Sequence, residues 1–186
     1  MLQFQLTPFP VLTTPRLLLR ELTPDDAEAI RFFRSDEEFL RYIPREKQPE
    51  LAQAQAHLRL LAELLASNQG IAWALCRPEQ PTELLGTICL WNLQPEHHRA
   101  EVGYGLHPHY AGQGLMTEAL QAVISYGFDQ LRLHSIEAQL DPANAASVSL
   151  LRKHGFVQEA YFRENYLFRD KYLDGAVYSL LTPHQE

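Results

Sequence analysis

The stretch from His109 to Leu120, "HYAGQGLMTEAL", limits the possible folds more than any other part of the chain. It follows an apolar run, "AEVGYGLH", that reads as a strand. It opens a segment in which Met116, Leu120, Val123, Ile124 and Phe128 recur at helical spacing, with Leu131 one turn later. A strand passing through two glycines into an amphipathic helix belongs to a mixed sheet with helices packed on it, so the fold reads as α/β or α+β. The turn itself has two readings. A helix N-terminus leaves backbone N–H groups unpaired and carries a partial positive charge, so a loop that gathers those amides makes an anion site. Gly112 and Gly114 permit the positive φ or close backbone approach that such a loop needs. A plain strand-to-helix connection has the same composition. No Gly-Lys-Ser/Thr follows, so this is not a P-loop, and the G-x-G-x-x-G pattern of a dinucleotide fingerprint is absent.

The rest of the chain supplies alternating elements without repeat or linker. "RLLLREL", from Arg16 to Leu22, reads as the first strand. "TPDDAEAIRFFRS" then starts a helix, with Thr23 at the cap, Pro24 at the first helical position, and Asp25 and Asp26 favouring the dipole. Leu51, Ala54, Leu58, Leu61 and Leu65 share one face of a second helix that Gly70 is expected to stop. "IAWALC" and "LLGTICLWNL" read as strands around the loop "RPEQPTE". "HSIEAQL" is a further strand, "NAASVSLLRKHGF" a short helix ending at Gly155, and "AYFRENYLF" with "YLDGAVYSLL" a terminal hairpin.

At 186 residues and 46% hydrophobic, the chain suits one domain with a real core. Its net charge of -7 argues against nucleic acid as a partner, because phosphate neutralisation needs a basic face; a cationic amine suits it better. No apolar run of about 18 residues predicts a spanning helix and no basic segment precedes the first apolar residues, so a soluble, cytoplasmic protein with no membrane partner is expected. Cys76 and Cys89 lie in apolar runs and read as buried free thiols. His107 with His109, and His97 with His98, lack a third ligand at useful spacing, and no metal site is expected.

The second constellation is "LDPANAASVSLLRKHGF", beginning at Leu140, where Asn144 and Ser147 open a helix that ends in Gly-Phe. Together with "EVGYGLHPHYAGQGLMTEAL", "LTTPRLLLREL" and "DGAVYSLL", it resembles the GNAT superfamily of acyl-coenzyme A-dependent N-acyltransferases, from about Leu12 to Leu181. Within that superfamily it looks most like the Rim-type branch, which contains the ribosomal-protein N-terminal acetyltransferases. The resemblance implies a mixed central sheet of about seven strands flanked by helices, in a single N-acetyltransferase domain over residues 1–186. It implies acetyl-CoA as cosubstrate and a primary amine as acceptor, most readily a protein N-terminal α-amine. A small amine (polyamine, amino acid or antibiotic) and a non-catalytic CoA-binding module are the alternatives. Monomer and homodimer are both compatible with it.

The superfamily's pyrophosphate loop, Q/R-x-x-G-x-G/A, falls on Ala111 through Met116; Gly114 fits, while Ala111 and Met116 replace the polar and the final small residue. The resemblance therefore assigns phosphate binding to the turn around Leu115 and to the backbone amides of Gln113, Gly114, Met116 and Thr117. It assigns the pantetheine contact to the strand end at Leu106 and His107, and to Asn144 and Ser147. Helix capping is the other role open to Asn144 and Ser147.

A thioester is already activated, so transfer needs a neutral amine, a polarised carbonyl and a protonated leaving thiolate. An α-amine, with a pKa of about 8, needs only a modest base or a water chain; a lysine, at about 10.4, needs more. Many superfamily members protonate the thiolate with a tyrosine on the late helix, but the matching residue here is Leu151. The Rim-like pattern points instead to Ser147. Its usual acidic partner falls on Tyr166, with Glu164 two residues earlier and on the same strand face. Glu101, on the strand feeding the glycine turn, is the other candidate base, and Tyr104 beside it reads equally as a sheet residue. In this fold the segments from Phe32 to Ile43 and around Trp91 flank the acceptor.

Overall fold

The computed structural model describes residues 4–183 and contains one eight-stranded sheet. Its strands are β1 (Leu12–Thr13), β2 (Leu18–Glu21), β3 (Ile71–Cys76), β4 (Gly86–Gln94), β5 (Arg99–Leu106), β6 (Ser135–Leu140), β7 (Val157–Phe168) and β8 (Lys171–Leu181). They lie side by side in the order β1-β2-β3-β4-β5-β6-β8-β7. The strand beyond the expected seven is β1, two residues that pair with Leu18 and Leu19. Four α-helices complete the chain: α1 (Ala27–Phe33), α2 (Leu51–Ala66), α3 (Leu115–Asp129) and α4 (Ala145–Lys153).

The continuous apolar run of β3 reflects burial on both faces. Trp73 and Leu75 join a core with Leu120 and Val123 of α3 and Leu151 of α4. Ala74 and Cys76 point the other way, to Ile30 and Phe33 of α1 and Ala54 and Leu58 of α2. Each fully buried aliphatic or aromatic side chain contributes about 1.5–3 kcal/mol, so these two layers carry most of the stabilisation. Both cysteines are free thiols; Cys76 is buried and Cys89 half-buried.

Two local readings change. Pro24–Asp26 form a 3-10 turn before α1, and Asp26 does not merely favour the dipole. It is buried in a bidentate pair with Arg20, at 2.7 and 2.9 Å, and accepts the Thr23 N–H at 2.7 Å. At the end of α2 the left-handed residue is Asn68 (φ 55°), not Gly70, and the Gln69 N–H closes on Leu64 O at 2.8 Å. Gly70 lies buried just before β3.

Two irregularities position the site. β5 and β6 form the sheet's parallel pair, and they pair only from Arg99–Glu101 to Ser135–Glu137. Beyond Glu101 the strands separate, β5 continuing against β4 and β6 against β8. On the other side of β5, the β4 register shifts between Trp91 and Gln94, which places Asn92 (φ 48°) in a bulge beside Glu101.

Candidate active site

The separation of β5 from β6 opens a cleft of about 750 Å³, walled by Val102–Leu106, the glycine turn, the start of α3, Ala138–Asp141 and α4. Of the residues singled out in the sequence, it gathers Leu106, Gly114, Leu115, Met116, Thr117, Asn144 and Ser147. Gly105 has a steric reason to be glycine: a Cβ there would stand 2.4 Å from Cζ of Phe39, whose ring packs over β5.

At the α3 end, Gly112 and Gly114 adopt φ of 74° and 77°, and Gly114 caps the helix in the left-handed conformation. Among the described residues, the first backbone bond into the helix comes from the Glu118 N–H, to Gly114 O at 3.3 Å. The N–H groups of Leu115, Met116 and Thr117 are thus left for an anion. Gln113 is not on the cleft wall. Its side-chain amide donates to His109 O at 3.2 Å, and its own carbonyl accepts from Arg16 Nη1 at 3.0 Å. Arg16 also donates to Glu118 at 2.5 Å, and the Thr14 hydroxyl donates to the same carboxylate at 2.7 Å. The opening "TTPR" therefore ties down the glycine turn, a tertiary role that no local pattern announces. His107 lies off the cleft wall too: its ring stacks on Phe32 at 4.5 Å and its Nδ1 accepts the His109 N–H at 3.1 Å.

On α4, Asn144 is the N-cap, its Oδ1 accepting the Ser147 N–H at 3.1 Å. That leaves the Asn144 side-chain NH₂ as a donor toward the cleft. The Ser147 hydroxyl meets the Tyr104 hydroxyl at 2.7 Å, across the gap between α4 and β5. Tyr104 is thus part of the constellation as well as of the sheet, and burial raises its pKa against the opposing effect of that bond. Leu151 is fully buried in the core. His154 links the helices, its ring nitrogens 2.9 and 3.1 Å from the carbonyls of Leu150 and Thr117.

A second cavity, of about 430 Å³, lies between β3–β5 and α2 and shares the wall formed by Phe39, Ile43 and Val102–Gly105. Glu101 lines it and is 8% exposed. Burial pushes its pKa up to about 7, against a hydrogen bond from Asn92 and the charge of Arg99. Trp91 and Ile43 flank it; Phe32, which belongs to the same expected segment, stacks on His107 instead. Glu164 and Tyr166 line neither cavity. The ladder between β7 and β8 is interrupted from Phe162 to Tyr166 and Glu164 takes φ 52°, so the regular alternation that would put the two on one face is broken there. The Glu164 N–H donates to Asp174 at 2.9 Å and the Tyr166 hydroxyl to Pro44 O at 3.5 Å. The net charge favours a cationic acceptor, and Glu101 and Glu164 are the two carboxylates expected near it. Only Glu101 reaches the cavity, and Arg45 and His57 line it as well.

The sheet splits beside an unpaired helix N-terminus, and a buried carboxylate lies on the far side of the split strand, so the site has two faces. The chain belongs to the acetyltransferase (GNAT) domain family, whose model matches residues 16–157. It is 37% identical to the uncharacterized N-acetyltransferase YoaA of Bacillus subtilis, over 95% of this chain and 99% of that one. It is 28% identical to the ribosomal protein uS5-alanine N-acetyltransferase of Escherichia coli, over 92% and 91% of the two chains. A GNAT-family acetyltransferase of Bacillus anthracis superposes with a TM-score of 0.80 at 26% identity, covering 92% of this chain and 98% of that one. The fold is the GNAT fold, the protein is an N-acetyltransferase, and its relatives include the Rim-like branch. Among the described residues, no helix is long and apolar enough to cross a membrane.

Proposed function

We propose that the protein transfers an acetyl group from acetyl-CoA to a primary amine, in the first instance a protein N-terminal α-amine, by direct attack in a ternary complex. The observation that carries this reading is the shared wall. The 750 Å³ cleft and the 430 Å³ cavity meet at Val102–Gly105, so a donor in one and an amine in the other approach the same stretch of backbone. The residues present fit the donor. The free amides of Leu115, Met116 and Thr117 suit its phosphates, the β5 edge at Leu106 suits an extended amide-bearing arm, and Asn144 offers an NH₂.

Bound acetyl-CoA supplies an activated acyl carbon, so that a C–N bond forms as the C–S bond breaks. The protein's own residues manage the protons. Glu101, with its pKa near 7, takes a proton from an amine of pKa about 8, directly or through water. Ser147, bonded to Tyr104, relays a proton from solvent to the departing sulfur, so its hydroxyl is restored at the end of the step. The modest size of the acceptor cavity also supports a second reading, in which the acceptor is a small amine.

Thiol release from acetyl-CoA, measured against N-terminal peptides and small amines, tests the assignment. Turnover on peptides is the expected result, turnover on small amines alone selects the second reading, and no release with any acceptor removes the transfer reading.

A further inference from the structure

The acceptor cavity holds charges that a site for simple cations would not. Its lining is largely apolar, with Leu22, Ile30, Ile43, Leu61, Leu64 and Trp91 among its residues, and among the described residues Glu101 is its single carboxylate. Arg45 and His57 line it too, from the segment after α1 and from α2. Arg34 supports this segment: its Nε donates to Gln48 Oε1 at 2.6 Å, and its carbonyl accepts the Gln48 N–H at 2.8 Å. Arg16, Arg20, Arg31, Arg99 and Arg169 all pair with carboxylates. Among the described residues Arg34 and Arg45 do not, nor do Arg41, Arg59, Arg77, Arg132, Arg152 and Arg163, and of all these Arg45 is the one that lines this cavity. Arg34 feels the charge of Arg45, and His57 feels both. Burial and the Arg45 charge push Arg34 down to about 10, and burial together with Arg34 and Arg45 pushes His57 down to about 4. Arg34 is half-buried beside the like charge of Arg45 without a carboxylate partner, which costs stability, and an arriving anion relieves that cost.

We infer that the acceptor carries an anionic group, set off from its reacting amine by an apolar segment, and that Arg45 receives this anion with Arg34 and His57 beside it. The inference rests on the transferase reading above and names the acceptor class for the same site. Glu101 faces the amine, the apolar walls hold the segment between, and a guanidinium engages the far end through charge-assisted hydrogen bonds. His57, neutral at physiological pH, contributes an N–H donor. A polyamine would place a second cation against Arg45. The shared chemistry is an amine and a carboxylate bridged by an apolar unit, which a peptide with an acidic second residue and a small ω-amino acid both provide.

The test measures kcat/KM for the full-length protein by thiol release from acetyl-CoA, at fixed ionic strength. One arm compares peptides with the same apolar first residue and Glu or Gln at the second; the other compares ε-aminocaproate with its amide. The acid should be favoured by about tenfold or more in one arm, the worth of one hydrogen bond to a charged group, and the favoured arm identifies the source. Arg45→Ala, at an exposed position, and Arg34→Gln should each bring the acid-to-amide ratio toward one. Equal rates on acid and amide, a ratio unchanged in both variants, or a preference for spermidine over every acid would overturn the inference while leaving the transferase reading in place. Absence of thiol release from all acceptors overturns both.

Discussion

The donor side of the cleft is built mainly from two nearly continuous stretches, Val102–Thr117 and Ala138–Lys153. The acceptor side draws side chains from widely separated places, among them Leu22, Arg45, His57, Trp91 and Glu101. The difference follows from what each side has to do. On the proposed reading, phosphates and an extended arm would be met by backbone groups, and the backbone is shaped by local turn chemistry and helix starts. An amine and its substituent would be met by converging side chains, whose convergence is set by packing. The first kind of site leaves a pattern along the chain; the second leaves scattered residues.

The largest expected effect concerns Glu101. If it is the base, Glu101→Gln should lower kcat by about 10²–10⁴-fold while acetyl-CoA affinity is retained. With its pKa near 7, wild-type kcat/KM should rise with pH through that region and level off above it, and the variant should lose this inflection. Unchanged turnover in the variant would return Glu101 to a structural role. On the donor side, Ser147→Ala should lower kcat by about 10²-fold with little change in acetyl-CoA binding. A loss of affinity without a loss of kcat would restrict Ser147 to holding the donor.

A smaller effect is expected in the glycine turn. Gly114→Val should weaken acetyl-CoA binding by about tenfold, because φ of 77° costs an L-residue roughly 1–2 kcal/mol and a Cβ would stand 3.3 Å from Arg16 Nη2. Wild-type affinity, measured by calorimetry, would make the turn a mere connection.

The last effect is on stability. The folded protein holds the Glu101 proton to about pH 7, whereas an ordinary glutamate releases it near 4.5, so the native state binds more protons between those values and its stability falls as pH rises. Glu101→Gln should therefore be more stable than wild type by about 3 kcal/mol above pH 7, with the advantage fading as pH falls from 7 to 4.5 and absent below that. Chemical denaturation at pH 4 and pH 8 checks the sign.

How much of this was legible in the sequence differs between the two sides. The glycine turn, Asn144 and Ser147 stood out because Gly and Asn mark positive φ and helix caps, which are local demands. Seven of the eight strands were readable from apolar runs; β1 was not, because two residues carry no periodicity. Arg16 and Asn92 gave no local signal. One acts across 102 residues on Glu118, and the other matters only because a bulge in β4 turns it toward Glu101. Glu164 was misplaced for a related reason: the pleat rule assumes a regular ladder, and the β7 ladder is interrupted where Glu164 sits.

The claim that both sides act together on one stretch of β5 is tested most directly by initial rates over a matrix of acetyl-CoA and peptide concentrations. Double-reciprocal plots should intersect, as direct transfer in a ternary complex requires. Parallel lines, with CoA released from acetyl-CoA in the absence of acceptor and an acetyl group left on the protein, would contradict it.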